Sequence, residues 1–220
     1  MQDIRQQKGV IEQKKVENER LWRNLLPGVL AQRAQIGETK LLEHAQQVSM
    51  LAAALTGFYE MVSSKSDQET AQILQELTID LEEAANRQGM ERFSSIGQQW
   101  LGICGLTRPH LDHSRRAVEV ALAAQQIIQR LNQKHNVKLQ LVAGSVAGVV
   151  TATAIGSNQI ATELWGKTVG TATKLRDEAS PNTILVSQDI YDVLQEQYRF
   201  RRYDKAVPDA KQAAVWVLEG

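Results

Sequence analysis

The sequence has 220 residues, 43% apolar and 23% charged, which suits one well-filled domain with an extension better than two full domains. Its 25 basic and 25 acidic residues cancel, so no positive surplus exists to neutralise a phosphate backbone, and this argues against nucleic acid as a partner. The single cysteine, Cys104, rules out an intramolecular disulfide and reads as a small buried hydrophobe within WLGICGL.

No window reaches the roughly 18 apolar residues that span a bilayer, and the polar start MQDIRQQKGV lacks the apolar centre of a signal peptide. The chain is therefore expected to be cytoplasmic and without direct membrane contact, on its own or as the cytosolic part of a membrane-bound receptor. In chain order, residues 2–24 are rich in Gln, Lys, Glu and Arg. Ile4, Ile11, Asn18 and Leu25 share a seven-residue spacing, while Gln7 and Lys14 spoil the companion row that holds Leu21. This predicts a helix with a weak coiled-coil seam, in which a core Asn fixes register; a solvated helix or linker without a partner stays open. Pro27-Gly28 interrupts it. QQVSMLAAALTGF (46–58) predicts a buried strand entering a glycine turn. DQETAQILQELTIDLEEAANRQG (67–89) predicts an amphipathic helix that stops at Gly89, its Glu82 and Glu83 on a solvated face. MERFSSIGQQWLGICGL gives two short strands around Gly97. Asp112 is the expected N-cap of a helix over HSRRAVEVALAAQQIIQRLNQKH, whose Arg115 and Arg116 read as solvated. VKLQLVAGSVAGVVTATAIG predicts a strand pair turning near Gly148. GKTVGTATKLRDEA predicts a helix, TILVSQDIYDVL a strand and short helix meeting at Ser187, and AAVWVLE a last strand. Helices interleaved with hairpins indicate an α+β sandwich with a mostly antiparallel sheet.

Six strings, each weak alone, resemble in order the class III adenylate/guanylate cyclase catalytic domain. VSMLAAALTGFY (48–59) is similar to VTVLFADIVGFT, SSIGQQW (94–100) to KTIGDAY, and DHSRRAV (112–118) to DHAERAL. GSVAG (144–148) is similar to GIHTG, ELWGKTVGTATKL (163–175) to DVWGDTVNLAARL, and PNTILVSQDIYDVL (181–194) to PGEILVSEATYDLL. The resemblance implies a ferredoxin-like α/β sandwich of the class III cyclase type over 41–220, preceded by a signalling helix or coiled coil and linker over 1–40. It also implies a homodimer formed through both parts.

The departures fall where the resemblance puts the chemistry. Its two metal-binding aspartates match Ala54 and Gln98, its adenine-selecting lysine Ser94, and that lysine's partner acid Glu163. Its ribose-positioning asparagine matches Gly170, and its transition-state arginine matches Lys174, which keeps charge but loses the bidentate fork. The expectation is thus a chain with no cofactor, no metal and no cyclase activity: a catalytically inactive cyclase homology domain that acts as a dimeric relay or regulatory module toward an unidentified protein partner. A non-catalytic nucleotide or small-molecule sensor and a plain dimerisation scaffold are the alternatives.

Gly166-Lys167-Thr168 invites a phosphate-loop reading, but that motif needs a glycine where Ala161 stands; Lys167 is then a turn residue outside the metal site. His44, His110, His113 and His135 show no metal-ligand spacing. Trp100 and Trp165, beside the altered motifs, read as core or interface residues, or as bulk filling a former nucleotide cleft.

Overall fold

A computed structural model describes residues 42–219 apart from 97, 107, 156–160, 206 and 208–213, so the 1–40 helix lies outside the described residues. The elements are β1 Leu42–Thr56, α1 Phe58–Ser64, α2 Asp67–Arg87, β2 Glu91–Ile96, β3 Gln99–Cys104, α3 His113–His135, β4 Gln140–Ile155, β5 Ala161–Trp165, α4 Lys167–Glu178, β6 Thr183–Ser187, α5 Gln188–Leu194, β7 Phe200–Arg202 and β8 Val215–Leu218. Two units divide the chain, one of 44–150 with 165–220, the other of 1–43 with 151–164.

In the larger unit the strand order is β2-β3-β1-β4-β6-β8-β7. β3 runs antiparallel to both β1 and β2, and β8 to both β6 and β7. β4 and β6 are parallel, Val142 opposite Thr183 through Ser145 opposite Val186, with α4 making the crossover that such a pair requires. The smaller unit holds the end of β4 and most of β5, and β5 pairs with β4.

Local chemistry explains where the helices begin and end. Ser66 and Glu69 form a reciprocal capping box at the start of α2, which buries Ile73, Leu77, Ala84 and Ala85 along one stripe. α3 buries a row of small and branched residues, Ala117, Val118, Ala121, Ala124, Ile128 and Leu131. It ends on Asn136 in the left-handed conformation (φ 50°), and Asn132 exchanges two hydrogen bonds with the backbone of Leu139. These faces meet Leu51, Ala53, Leu141, Ala143 and Ile184 of the sheet in one core, with Leu139 just before β4. Tyr191 of α5 stacks on Trp216 of β8 and meets Phe200 of β7 edge-on, which fixes the short β7.

Three expectations change. Asp112 is the N-cap residue of α3, as expected, but its side chain makes no capping bond; its carboxylate is taken by Arg116 and Arg115 at 2.7 and 2.8 Å, which holds its pKa at about 2. Arg116 is correspondingly not a merely solvated residue, since it also donates to the Gln88 carbonyl at 2.9 Å. Gly148 is not a turn: β4 runs straight through it, and a β-carbon there would sit 2.6 Å from Oγ1 of Thr168 on α4. Gly144 serves the same purpose four residues earlier, where α4 presses its Ala172 carbonyl and Arg176 amide onto the strand.

Candidate functional site

β1 and β3 bring the end of one strand to the start of the other. Ala54 pairs with Gln99 across the ladder, and the Leu55 amide donates to the Gln98 carbonyl at 2.9 Å. Positions 54 and 98 are therefore neighbours, as a shared site needs. Ala54 is 7% exposed and offers only a methyl group, while Gln98 is half-buried and offers a neutral amide. Ser94 lies on β2 opposite Leu101, just after a register shift, so the backbone carries it to the same corner of the sheet. Immediately beyond β1, Gly57 takes φ 78°, and a β-carbon on it would meet the Lys138 carbonyl oxygen. The turn there admits only glycine.

α4 presents Gly170 and Lys174 one helical turn apart, and the Gly170 amide is bonded to the Gly166 carbonyl at 3.2 Å. Gly170 is exposed, with open space where a side chain would begin. Glu163 is an exposed residue of β5 within the smaller unit. Thr168 is buried and donates to the Val149 carbonyl at 2.6 Å, so its hydroxyl is committed to the fold rather than offered to a phosphate. Trp100 packs against the core, whereas Trp165 is 50% exposed.

Two residues that the sequence did not single out join this corner. Arg176 of α4 is buried, yet its guanidinium reaches Gln99: Nη1 donates to Gln99 Oε1 at 3.2 Å. Nε and Nη2 both donate to Asp177 Oδ1, at 2.9 and 2.7 Å. The available signal was spacing: Ala172, Leu175 and Arg176 lie on the inward side of α4, so an arginine four residues after a buried alanine must point inward too.

Behind the corner, a cavity of about 40 Å³ lies among Leu55, Leu74, Leu77, Met90, Gln98 and Trp100. A separate polar cluster sits under the start of α3, where Nδ1 of His113 is 2.8 Å from the buried Ser49 hydroxyl, itself 3.1 Å from that of Ser114. Burial holds the His113 pKa below its usual value of 6.5.

The two divalent cations implied by the resemblance need oxygen ligands that carry charge. Positions 54 and 98 supply none, and no three His, Cys, Asp or Glu side chains converge among the described residues. The guanidinium on Gln99 adds positive charge beside them. These residues do not fit a two-metal centre.

Comparison with known proteins places the chain. The family model for the adenylate and guanylate cyclase catalytic domain matches residues 41–220. An adenylate cyclase of Mycobacterium bovis is 25% identical over 202 residues, covering 91% of this chain and 46% of that protein. The receptor-type guanylate cyclase gcy-28 of Caenorhabditis elegans is 25% identical over 199 residues, covering 90% of this chain and 15% of that protein. The chain thus spans less than half the length of either curated relative. Among solved structures, the guanylate cyclase domain of RhGC from Catenaria anguillulae, in complex with GTP, superposes with a TM-score of 0.74 at 22% identity, covering 80% of this chain and 97% of that one. The adenylyl cyclase CyaB from P. aeruginosa superposes with a TM-score of 0.76 at 15% identity, covering 81% and 96%.

These findings correct the expectation that the chain is not an enzyme, because the family and the relatives that match it carry the names of cyclases. The match over 41–220, with the α/β fold it brings, makes this chain a member of the adenylate and guanylate cyclase catalytic domain family.

Proposed function

We propose that the chain is the cyclase domain of a signalling protein and works there as a dimeric regulatory module. The family match over 41–220 carries this reading. Support for the dimer comes from a guanylyl cyclase domain of Blastocladiella emersonii, alike in fold at a TM-score of 0.73, which forms a non-canonical dimer in one crystal structure and is monomeric in another. Support for a place within a longer receptor comes from the receptor-type guanylate cyclases among the relatives, of whose length the chain covers 15% in gcy-28. In this reading residues 1–40 form a helical signalling segment and linker, with Ile4, Ile11 and Leu25 as its seam, and 41–220 form the cyclase domain. Ser94 and Glu163 take the base-facing positions. Gly170 and Lys174 face the ribose and phosphates across the dimer. A shift of the paired segments would repack the two domains and change their affinity for a partner, which requires two states that differ in partner binding. In a cell the module would stand on the cytosolic side of its receptor.

The test is mass measurement of the full chain by light scattering, joined to titration of the chain into a competent cyclase domain. The expected result is a mass of two chains, lost on Ile4→Asp with Ile11→Asp, and a change in the cyclase rate. A monomer at the highest soluble concentration with no change in rate would overturn the reading.

A further inference from the structure

We propose that the cavity under α2 binds a small neutral aliphatic alcohol of about three or four carbon atoms, its hydroxyl on the amide of Gln98. One wall is a stripe of α2, on which Leu74, Leu77, Leu81 and Ala85 recur at helical spacing. Facing it are Trp100 and Gly102, alternate residues of β3 and so on one face of the sheet. All of these residues belong to the larger unit.

Size and chemistry together select the ligand. A volume of about 40 Å³ holds roughly three waters, since one takes about 10–15 Å³. Voids larger than one water are few in a close-packed interior. Water is a poor occupant of this one, because each molecule needs two to four polar partners. Among the described residues, only Gln98, Thr78 and the indole of Trp100 bring polar side-chain atoms to the lining. No charged side chain lines it among the described residues, so an ion would be buried unpaired. An aliphatic chain gains there by leaving water, and the half-buried Gln98 amide can donate to or accept from its hydroxyl. Met90, just after α2, makes one wall adjustable. Gly102 leaves the space that the Met90 thioether fills, and a β-carbon at Gly102 would collide with its sulfur. An unbranched methionine swings aside at low cost and widens the cavity to fit its guest. Occupancy is independent of the dimer: a monomer that binds an alcohol would support this proposal and overturn the regulatory reading.

The experiment is methyl-group NMR of the full chain titrated with the linear alcohols from ethanol to 1-hexanol. Saturable shifts centred on Leu74, Leu77, Leu81 and Met90 are expected. Affinity should rise about fourfold per methylene up to about four carbons and level off beyond, where further methylenes stay in water. Two variants fill the cavity by different routes: Ala85→Leu adds bulk from the helix, and Gly102→Ala drives the Met90 side chain inward. Each should weaken 1-butanol at least about fivefold in a chain shown by thermal melting to be folded. Gln98→Leu keeps the volume but removes the amide, and should weaken 1-butanol at least about threefold. Shifts spread over the surface without saturation, affinity still climbing at 1-hexanol, or unchanged affinity in any of the folded variants would each overturn the proposal.

Discussion

His113 gives the larger unit one pH-sensitive contact. Its ring sits over the buried hydroxyl of Ser49, with Ser114 beside it, the Asp112 carboxylate raising its pKa and His110 lowering it further. Burial dominates, so the folded pKa lies below 6.5. Between the folded and unfolded values the unfolded chain holds more protons, so stability rises with pH there. The contribution is fully present above about 6.5 and is lost as pH falls below it. Thermal melts should show a lower Tm at pH about 5.5 than at about 7.5, with a smaller difference in His113→Gln; an undiminished difference in that variant would assign the effect to other groups. The placement of His113 at a helix start was legible in DHSRRAV. The Ser49 hydroxyl beneath it was not, because it comes from a strand 64 residues away in the chain. The same holds for Arg176 and Gln99, which meet across 77 residues. Ala54 and Gln98 also come from separate strings, and the end of the β1–β3 ladder sets them side by side. Placing carboxylates there, as Ala54→Asp with Gln98→Asp, should create a Mn²⁺ site at this corner, seen as a Tm raised by Mn²⁺ in the double variant and unmoved in the parent chain. A Tm of the folded double variant that Mn²⁺ does not move would mean that these positions do not hold metal.

At the scale of elements, the contact of β4 with α4 shows how one residue type carries two meanings. Glycine is the strongest turn signal in a sequence, so GSVAG reads as the end of a strand. In β4 the same glycines are the surface onto which α4 closes. Sequence alone does not separate the two meanings, because the second depends on a helix that arrives some twenty residues later. The helices α2, α3 and α4 were readable because each carries a local signal, a capping box or an inward row of apolar residues. β5 and β7 carry none: ATELW mixes small, acidic and bulky residues, and Phe200–Arg202 is held by pairing with β8. Two glycine substitutions test this account by urea denaturation. Gly144→Ala forces a methyl group onto the α4 backbone and should cost about 3 kcal/mol. Gly170→Ala places one in open space on an exposed helical turn and should add up to about 1 kcal/mol. Equal effects at the two sites would refute the distinction.

For the whole molecule, the alternation of strands and helices was legible, and so was the fold it implies. The path of the chain was less so, because the parallel pairing of β4 with β6 is set by a crossover rather than by a turn. β3, the second strand from one edge of that sheet, ends on the chain's one thiol. Cys104 is paired with Ser49 across β3 and β1, is fully buried, and has its pKa pushed up to about 12 by that burial. At neutral pH the thiolate is a vanishing fraction, and no reagent reaches it while the strands stay closed. Alkylation of native protein should therefore run at least about 1,000-fold slower than that of a free thiol and accelerate with urea in step with unfolding. Labelling within tenfold of a free thiol would show a β1–β3 ladder that opens easily. Nature has supplied a stopwatch in the buried end of β3: without any engineered tag, the pace at which this sulfur is consumed reports how often the strands part.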